Sequence, residues 1–180
     1  MARAVTEMQS YRRSVSGILP TAKRLFLVAC LLFSIHARPS EELSVITNLP
    51  EKCSQAVTAQ RVCLVYISRV GCPYCGKLEK EVLFPLLKVD EYVSRVQLYE
   101  LPWELTELTD FKKQLISAEE FIDIYGVVGT PTLLFLDASG NEVSERMVGY
   151  QSEDFYWHYL DKSIDRGLIK LLGHGVSLPE

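Results

Sequence analysis

The sequence has little of what several common functions require. Histidine occurs three times in 180 residues, with no cluster at ligand spacing, and no second Cys-x-x-Cys stands beside the one at Cys72 and Cys75. Zinc normally asks for a second paired set of ligands; Cys53 and Cys63 are too far apart in sequence to supply it, and His158 and His174 lie distant from both. Methionine does not gather near the Cys72–Cys75 pair either, which weakens a soft-metal carrier for Cu(I). No resident metal and no cofactor is expected. Positive charge is scarce once the first 37 residues are set aside: their removal takes five of 19 basic and one of 23 acidic residues, leaving 14 against 22 and a formal charge of −8. Nucleic acid is therefore not an expected partner. Apolar runs are short, the longest being Leu25 to Ile35, and a bilayer needs roughly 20 apolar residues. Repeats and low-complexity tracts are absent, and with 48% hydrophobic and 23% charged residues the composition is that of one packed domain.

What is present begins with an unlike N-terminus. Arg3, Arg12, Arg13, Lys23 and Arg24 face only Glu7, the short apolar run follows, and Ala37 closes it. These are the parts of a secretory signal, so residues 1–37 are expected to be a cleaved signal peptide and residues 38–180 a single domain in an exported, periplasmic or similar location. Contact with a membrane is expected only if that segment stays uncleaved as an anchor. Cys30 leaves with it, and four cysteines remain, Cys53, Cys63, Cys72 and Cys75, in a compartment that permits disulfides.

Along the rest of the chain, Asn48 caps a helix reaching roughly Ala59, with Pro50 tolerated in its first turn. Val62 to Ile67 is continuously apolar, as in a strand covered on both faces. Gly71 ends that strand, and Cys72 opens a helix with Leu78, Val82 and Leu86 on its apolar side, kinked or divided by Pro85. Arg95 to Leu101 is a second strand, and Pro102 to Ile116 reads as a surface excursion. Ser117 and Glu120 form a capping box for a helix that stops at Gly126. Pro131 to Asp137 is a strand, Asp137 to Gly140 a turn, and Val143 to Val148 a returning strand. Ser152 caps a last helix whose face is Phe155, Tyr159, Leu160 and Ile164. A crossover makes the first two strands parallel, and a tight turn makes the last two antiparallel.

Cys72-Pro73-Tyr74-Cys75 sits between a strand and a helix. Backbone N–H groups and the helix dipole favour an anion there, so the Cys72 thiol should ionise readily. Pro73 costs nothing in the first turn, and Cys75 lies one turn on, within reach of the Cys72 sulfur. The pair can carry thiol-disulfide exchange, with Cys72 attacking and Cys75 resolving. A zinc half-site and an inert disulfide are the plainer readings of the same spacing. For Cys53 and Cys63 two free thiols are the favoured reading, a structural second disulfide the next, and a relay pair the last. Trp103, Trp157 and Tyr150 are read as packing residues.

Cys72-Pro-Tyr-Cys75 after an apolar strand, followed by Val128-Gly-Thr-Pro131-Thr-Leu-Leu-Phe-Leu before a hairpin ending in Val148-Gly149-Tyr150, resembles the thioredoxin superfamily from roughly Asn48 to Gly167. The resemblance implies an α/β thioredoxin fold, a central mixed β-sheet flanked by helices. It also implies a cis-proline at Pro131 facing the active-site disulfide, with Thr130 offering backbone groups to an extended substrate and with Pro73 and Tyr74 in the substrate-binding surface. Among its branches the chain is most similar to exported bacterial thioredoxin-like proteins. The Pro-Tyr pair is similar to that of glutaredoxins, and threonine before the proline to periplasmic disulfide isomerases and reductases. Thioredoxins carry a buried carboxylate six residues before the first active cysteine, where this chain has Tyr66; Glu79, Glu100 or water would then take the proton of Cys75, although each glutamate alone reads as a solvated charge. The implied function is a protein-disulfide oxidoreductase, a periplasmic thioredoxin-like reductase working through Cys72 and Cys75, although oxidation or isomerisation would use the same two thiols; its partners are cysteine-containing exported proteins and a membrane or soluble redox donor or acceptor. A binding module or chaperone that keeps the fold without turnover is the competing reading.

Overall fold

The computed structural model describes residues 42–173; residues 1–37 and His174, on which the leader and one histidine reading rest, lie outside them. Helix α1 (Leu49–Thr58) starts where expected: the Asn48 side chain accepts from the Glu51 N–H at 3.1 Å, and Pro50 occupies the first turn. Strand β1 (Val62–Ser68) follows and is buried at every position. Because side chains alternate along a strand, Val62, Leu64 and Tyr66 enter one core while Cys63, Val65 and Ile67 enter another.

Gly71 turns the chain at φ +74°, a conformation that favours glycine. The next helix runs as α2 (Pro73–Leu78), a π-helical stretch (Glu79–Leu83) and α3 (Phe84–Leu86). Pro85 has no N–H and its ring crowds the carbonyl four residues back, so the helix widens ahead of it and the Phe84 N–H reaches Glu79 O. The expected division is thus a π segment. A short helix α4 (Asp90–Arg95), not foreseen, precedes β2 (Val96–Pro102), which pairs parallel with β1 from Val62–Val96 to Ser68–Pro102.

The stretch expected to be a surface excursion folds into a small antiparallel hairpin, β3 (Leu108–Thr109) with β4 (Leu115–Ile116). Its anchor is Asp110, 5% exposed, whose carboxylate accepts from the N–H groups of Lys112 (2.9 Å) and Gln114 (2.7 Å) while Leu108 and Ile116 bury inward. Helix α5 (Ala118–Ile124) begins on Ser117, whose hydroxyl accepts from the Glu120 N–H at 3.1 Å, and ends before Gly126.

Strand β5 (Thr132–Leu136) runs antiparallel to β1. The Asp137 carboxylate accepts from Ser139 and Asn141 N–H, each at 2.8 Å, and closes the turn. The return strand is shorter than expected: regular pairing is confined to β6 (Met147–Val148), beyond one bridge from Leu136 to Glu142. Between the two, Arg146 reaches away to Glu142 and to the Tyr125 carbonyl (2.8 Å), which draws the backbone off the ladder. The sheet order is β2-β1-β5-β6, and residues 44–46 lie along the outer side of β2, the Ile46 N–H donating to Glu100 O at 2.8 Å.

Helix α6 (Glu153–Leu172) has Ser152 at its N-cap, but the hydroxyl makes no capping bond. Its inward face also differs from the expected one. Tyr156, Leu160, Ser163, Ile164, Gly167 and Leu168 are buried, whereas Phe155 and Tyr159 are 46% and 45% exposed. Gly167 allows this approach, since a Cβ there would lie 3.0 Å from a Val62 methyl. Helices α1 and α5 cover one side of the sheet; α2, α3 and α6 cover the other.

Cys53 on α1 and Cys63 on β1 are joined, with Cα atoms 5.0 Å apart, and both are fully buried. The favoured reading of two free thiols is therefore replaced by a disulfide. The reason is steric proximity: α1 packs directly on the face of β1 that carries Cys63.

Candidate active site

The end of β1 sets the position of the Cys72–Cys75 pair. After Ser68 the chain turns through Arg69, Val70 and Gly71 and delivers Cys72 to the N-cap of α2, where its sulfur accepts from the Cys75 N–H at 3.2 Å. Pro73 fills the first turn, where an N–H would have no partner. Cys72 and Cys75 are disulfide-bonded with Cα atoms 5.3 Å apart. Their environments differ. Cys75 is 3% exposed and packs in the core with Leu78, while Cys72 is half-buried and Pro73 and Tyr74 face solvent. On reduction, the N–H that points at the Cys72 sulfur would hydrogen-bond a thiolate, and the helix end would favour its charge.

Pro131 arrives at the same end of the sheet because β5 is antiparallel to β1, Ile67 pairing with Thr132. The Thr130–Pro131 peptide is cis. The Thr132 hydroxyl donates to Gly129 O at 2.7 Å, and the Gly149 N–H donates to Pro131 O at 2.8 Å, so the segment is held from both sides. Thr130 is half-buried beside it. Val70 and Val128, 82% and 88% exposed, leave the surface at this end apolar.

A wall also comes from residues after β2. Equal-length parallel strands finish level, so Trp103 and Glu104 emerge beside Arg69 and Val70. The Trp103 N–H donates to Ser68 O (2.9 Å), the Val70 N–H to Glu104 Oε1 (3.1 Å), and the Arg69 guanidinium lies 5.1 Å from the Trp103 ring centroid. Sequence reading took Trp103 only as packing and did not single out Arg69 or Glu104. The parallel pairing of the two strands was the signal that could have placed them.

Behind the disulfide lies a polar group in an apolar core. Tyr66 is fully buried and its hydroxyl donates to Glu79 Oε1 at 2.8 Å. Burial first, then the bond to Glu79 and the nearby carboxylates, hold this phenol neutral far above its ordinary range. Glu79 lies four residues after Cys75, on the same side of the helix. Glu100 pairs with Tyr66 in the register and accepts from the Ser68 hydroxyl. Burial, and less so the charges of Glu79 and Glu42, raise the Glu100 carboxyl above its usual value against the opposing Ser68 bond. Both glutamates, read from sequence as solvated charges, are thus hydrogen-bonded in one cluster around Tyr66, Glu79 to the Tyr66 hydroxyl and Glu100 to the Ser68 hydroxyl. The chemistry open to it is acceptance and release of a proton close to Cys75.

Other sequence candidates fall elsewhere. Tyr150 is buried and donates to Glu81, Trp157 packs on Tyr92 at 5.2 Å, and exposed His158 meets Tyr159 edge-on. Among the described residues no group of three or more His, Cys, Asp or Glu is placed to hold a metal ion, and no helix is long and apolar enough to cross a membrane.

Residues 49–164 match the thioredoxin-like domain family. No curated protein matches the chain. Among solved structures, a thioredoxin from Thermus thermophilus is similar at 23% identity and a TM-score of 0.51, over 77% of this chain and 100% of that one. The periplasmic thioredoxin SoxS from Paracoccus pantotrophus is similar at 23% identity and a TM-score of 0.42, over 59% of this chain and 98% of that one. For a thioredoxin from Aeropyrum pernix the values are 22% and 0.43, over 68% and 87%.

Proposed function

This chain belongs to the thioredoxin superfamily, and from that premise we propose that it is a thiol-disulfide oxidoreductase acting on exported proteins through Cys72 and Cys75. The observation that carries the reading is the asymmetry of the pair: an approachable sulfur at a helix N-cap joined to a buried one, at the sheet end that also holds the cis Thr130–Pro131 peptide.

In the reducing direction the Cys72 thiolate attacks one sulfur of a client disulfide, forming the mixed disulfide and expelling the other client sulfur as a thiolate. Cys75 then loses its proton, attacks the Cys72 sulfur and releases the second client thiolate. Two electrons pass from the Cys72–Cys75 dithiol to the client, and the two protons end on the client thiols. A dithiol donor must restore the pair. Run backwards, the same steps deliver a disulfide to a client dithiol. Pro73, Tyr74, Thr130 and Pro131 form the surface against which the client chain lies, and Glu79, held by Tyr66, is the acceptor for the Cys75 proton. Export is supported by the basic, then apolar, leader in residues 1–37 and by a buried disulfide that an oxidising compartment allows.

Trapping tests this. Cys75→Ser, expressed with its leader in the source cell, should retain clients bound through Cys72 as adducts that reductant dissolves. Capture of exported cysteine-containing proteins or of a membrane redox donor is the expected result. If the adduct pattern equals that of Cys72→Ser, the exchange reading fails; adducts with cytoplasmic proteins alone overturn the export assignment.

A further inference from the structure

The outward side of α6 is not the featureless polar face that a packed helix usually presents. Phe155, Tyr159, Lys162 and Arg166 succeed one another at steps of four, three and four residues, which places them on one stripe. The two rings lie 4.4 Å apart and are each about half exposed. Lys162 and Arg166 have no ion-pair or hydrogen-bond partner among the described residues. This stripe is one wall of a cavity of about 370 Å³, whose other wall is the segment from Glu145 to Gly149 along β6. That volume suits a small ligand or one side chain of a partner.

Three facts fix what would fit. The aromatic pair and Val148, 52% exposed on the free edge of the sheet, offer an apolar slot at one part of the cavity. Arg146 is already neutralised by Glu142, so the lining cations left are Lys162 and Arg166 against the single carboxylate of Glu145, a net positive site on a chain of formal charge −4. The stripe is ordered, rings first and cations after, so a ligand must carry its ring and its negative charge at separate ends. We propose that this cavity binds an aromatic anion, the ring against Phe155, Tyr159 and Val148 and a carboxylate against Lys162 and Arg166. A free aromatic acid and the C-terminal aromatic residue of a peptide share that chemistry. The site does not depend on the exchange reaction, although Gly149, which donates to Pro131 O, joins its wall to the end of the sheet where Cys72 lies.

The test is an NMR titration of the oxidised full chain with N-acetylphenylalanine, with its uncharged amide, and with the tripeptide Gly-Gly-Phe. Shifts should concentrate at residues 145–149 and 155–166, and the acid should bind at least about fivefold more tightly than the amide, less so as salt is raised. Lys162→Gln with Arg166→Gln should erase that preference, and Glu145→Gln should enlarge it; all three are surface changes that leave the core alone. Tighter binding of the tripeptide than of N-acetylphenylalanine assigns the ligand to a chain end, and the reverse to a free acid, both as expected of the site. Equal affinity for acid and amide, an unaltered preference in the double variant, or shifts centred on Cys72 would overturn the proposal.

Discussion

The Cys53–Cys63 bond allows a stability effect to be worked out before it is measured. The two residues are ten apart in sequence, so the bond closes a short loop, and the chain-entropy cost it removes from the unfolded state is about 2.7 kcal/mol. For a domain of this size, an unfolding entropy of about 2.1 cal/mol/K per residue converts that loss into a fall in Tm of roughly 10 °C. Replacing both cysteines with alanine removes the clasp without adding a polar group to a fully buried place. Urea unfolding, followed with Cys72–Cys75 oxidised in both proteins, would read the difference. A companion thiol count checks the premise: mild reductant acting on the native protein should free two thiols, from the Cys72–Cys75 pair whose Cys72 sulfur is half-buried, and denaturant should then let it free four. A change below about 1 kcal/mol, or four thiols released at once from the native state, would refute the claim that this bond stabilises the fold from inside the core.

Alkylation of the reduced protein at mildly acidic pH should modify Cys72 well before Cys75, because only Cys72 combines exposure with the helix N-cap; equal rates would contradict the assignment. Glu79→Gln, which can still accept the Tyr66 hydroxyl, should slow resolution of a mixed disulfide by on the order of 100-fold near neutral pH in single-turnover experiments, and an unchanged rate would remove Glu79 as proton acceptor. Glu100 has a raised folded-state pKa, so its folded form holds its proton more tightly than the unfolded chain does. Its favourable contribution is full below the ordinary value of 4.5 and is lost as pH rises through the shifted one. Glu100→Gln should accordingly gain stability relative to the parent between pH 4 and pH 7 in paired thermal melts, and a constant difference across that range would show that Glu100 does not titrate abnormally.

Where local chemistry decides structure, the sequence was a sufficient guide. Asn48, Ser117 and Cys72 each accept an N–H of the first turn, Pro73 has none to satisfy, and those helices begin where these residues stand. Strand directions followed from connection lengths. What escaped depended on contacts distant in sequence. The hairpin after β2 exists because Leu108 and Ile116 find a core, and Asp110 can tie its turn only once they have done so. In α6 the periodic apolar set fits two stripes one residue apart, and only packing against Val62 and its neighbours selects Tyr156 over Phe155. β1 is apolar on both sides, so nothing in its pattern indicates that Cys63 turns toward α1. Glu79 and Glu100 look like surface charges in one dimension, yet the fold brings Glu79 to the Tyr66 hydroxyl and sets Glu100 beside Tyr66 in the strand register, bonded to Ser68.

Strand β1 carries Cys63 toward one side of the sheet and Tyr66 toward the other, and it ends four residues before Cys72. Its length is therefore under a parity constraint. Gain or loss of a single residue between Val62 and Ser68 would invert every side chain beyond the change. An indel just after Cys63 would keep the clasp to Cys53 but swing Tyr66 away from Glu79 into the opposite layer, and one just before Cys63 would turn both residues to the wrong side. Only paired insertions preserve both, and these would lift Cys72 by about 7 Å relative to Pro131. Homologous chains that retain both disulfides should consequently tolerate changes of length in the loops around Arg61 and Ala138, and none inside this strand.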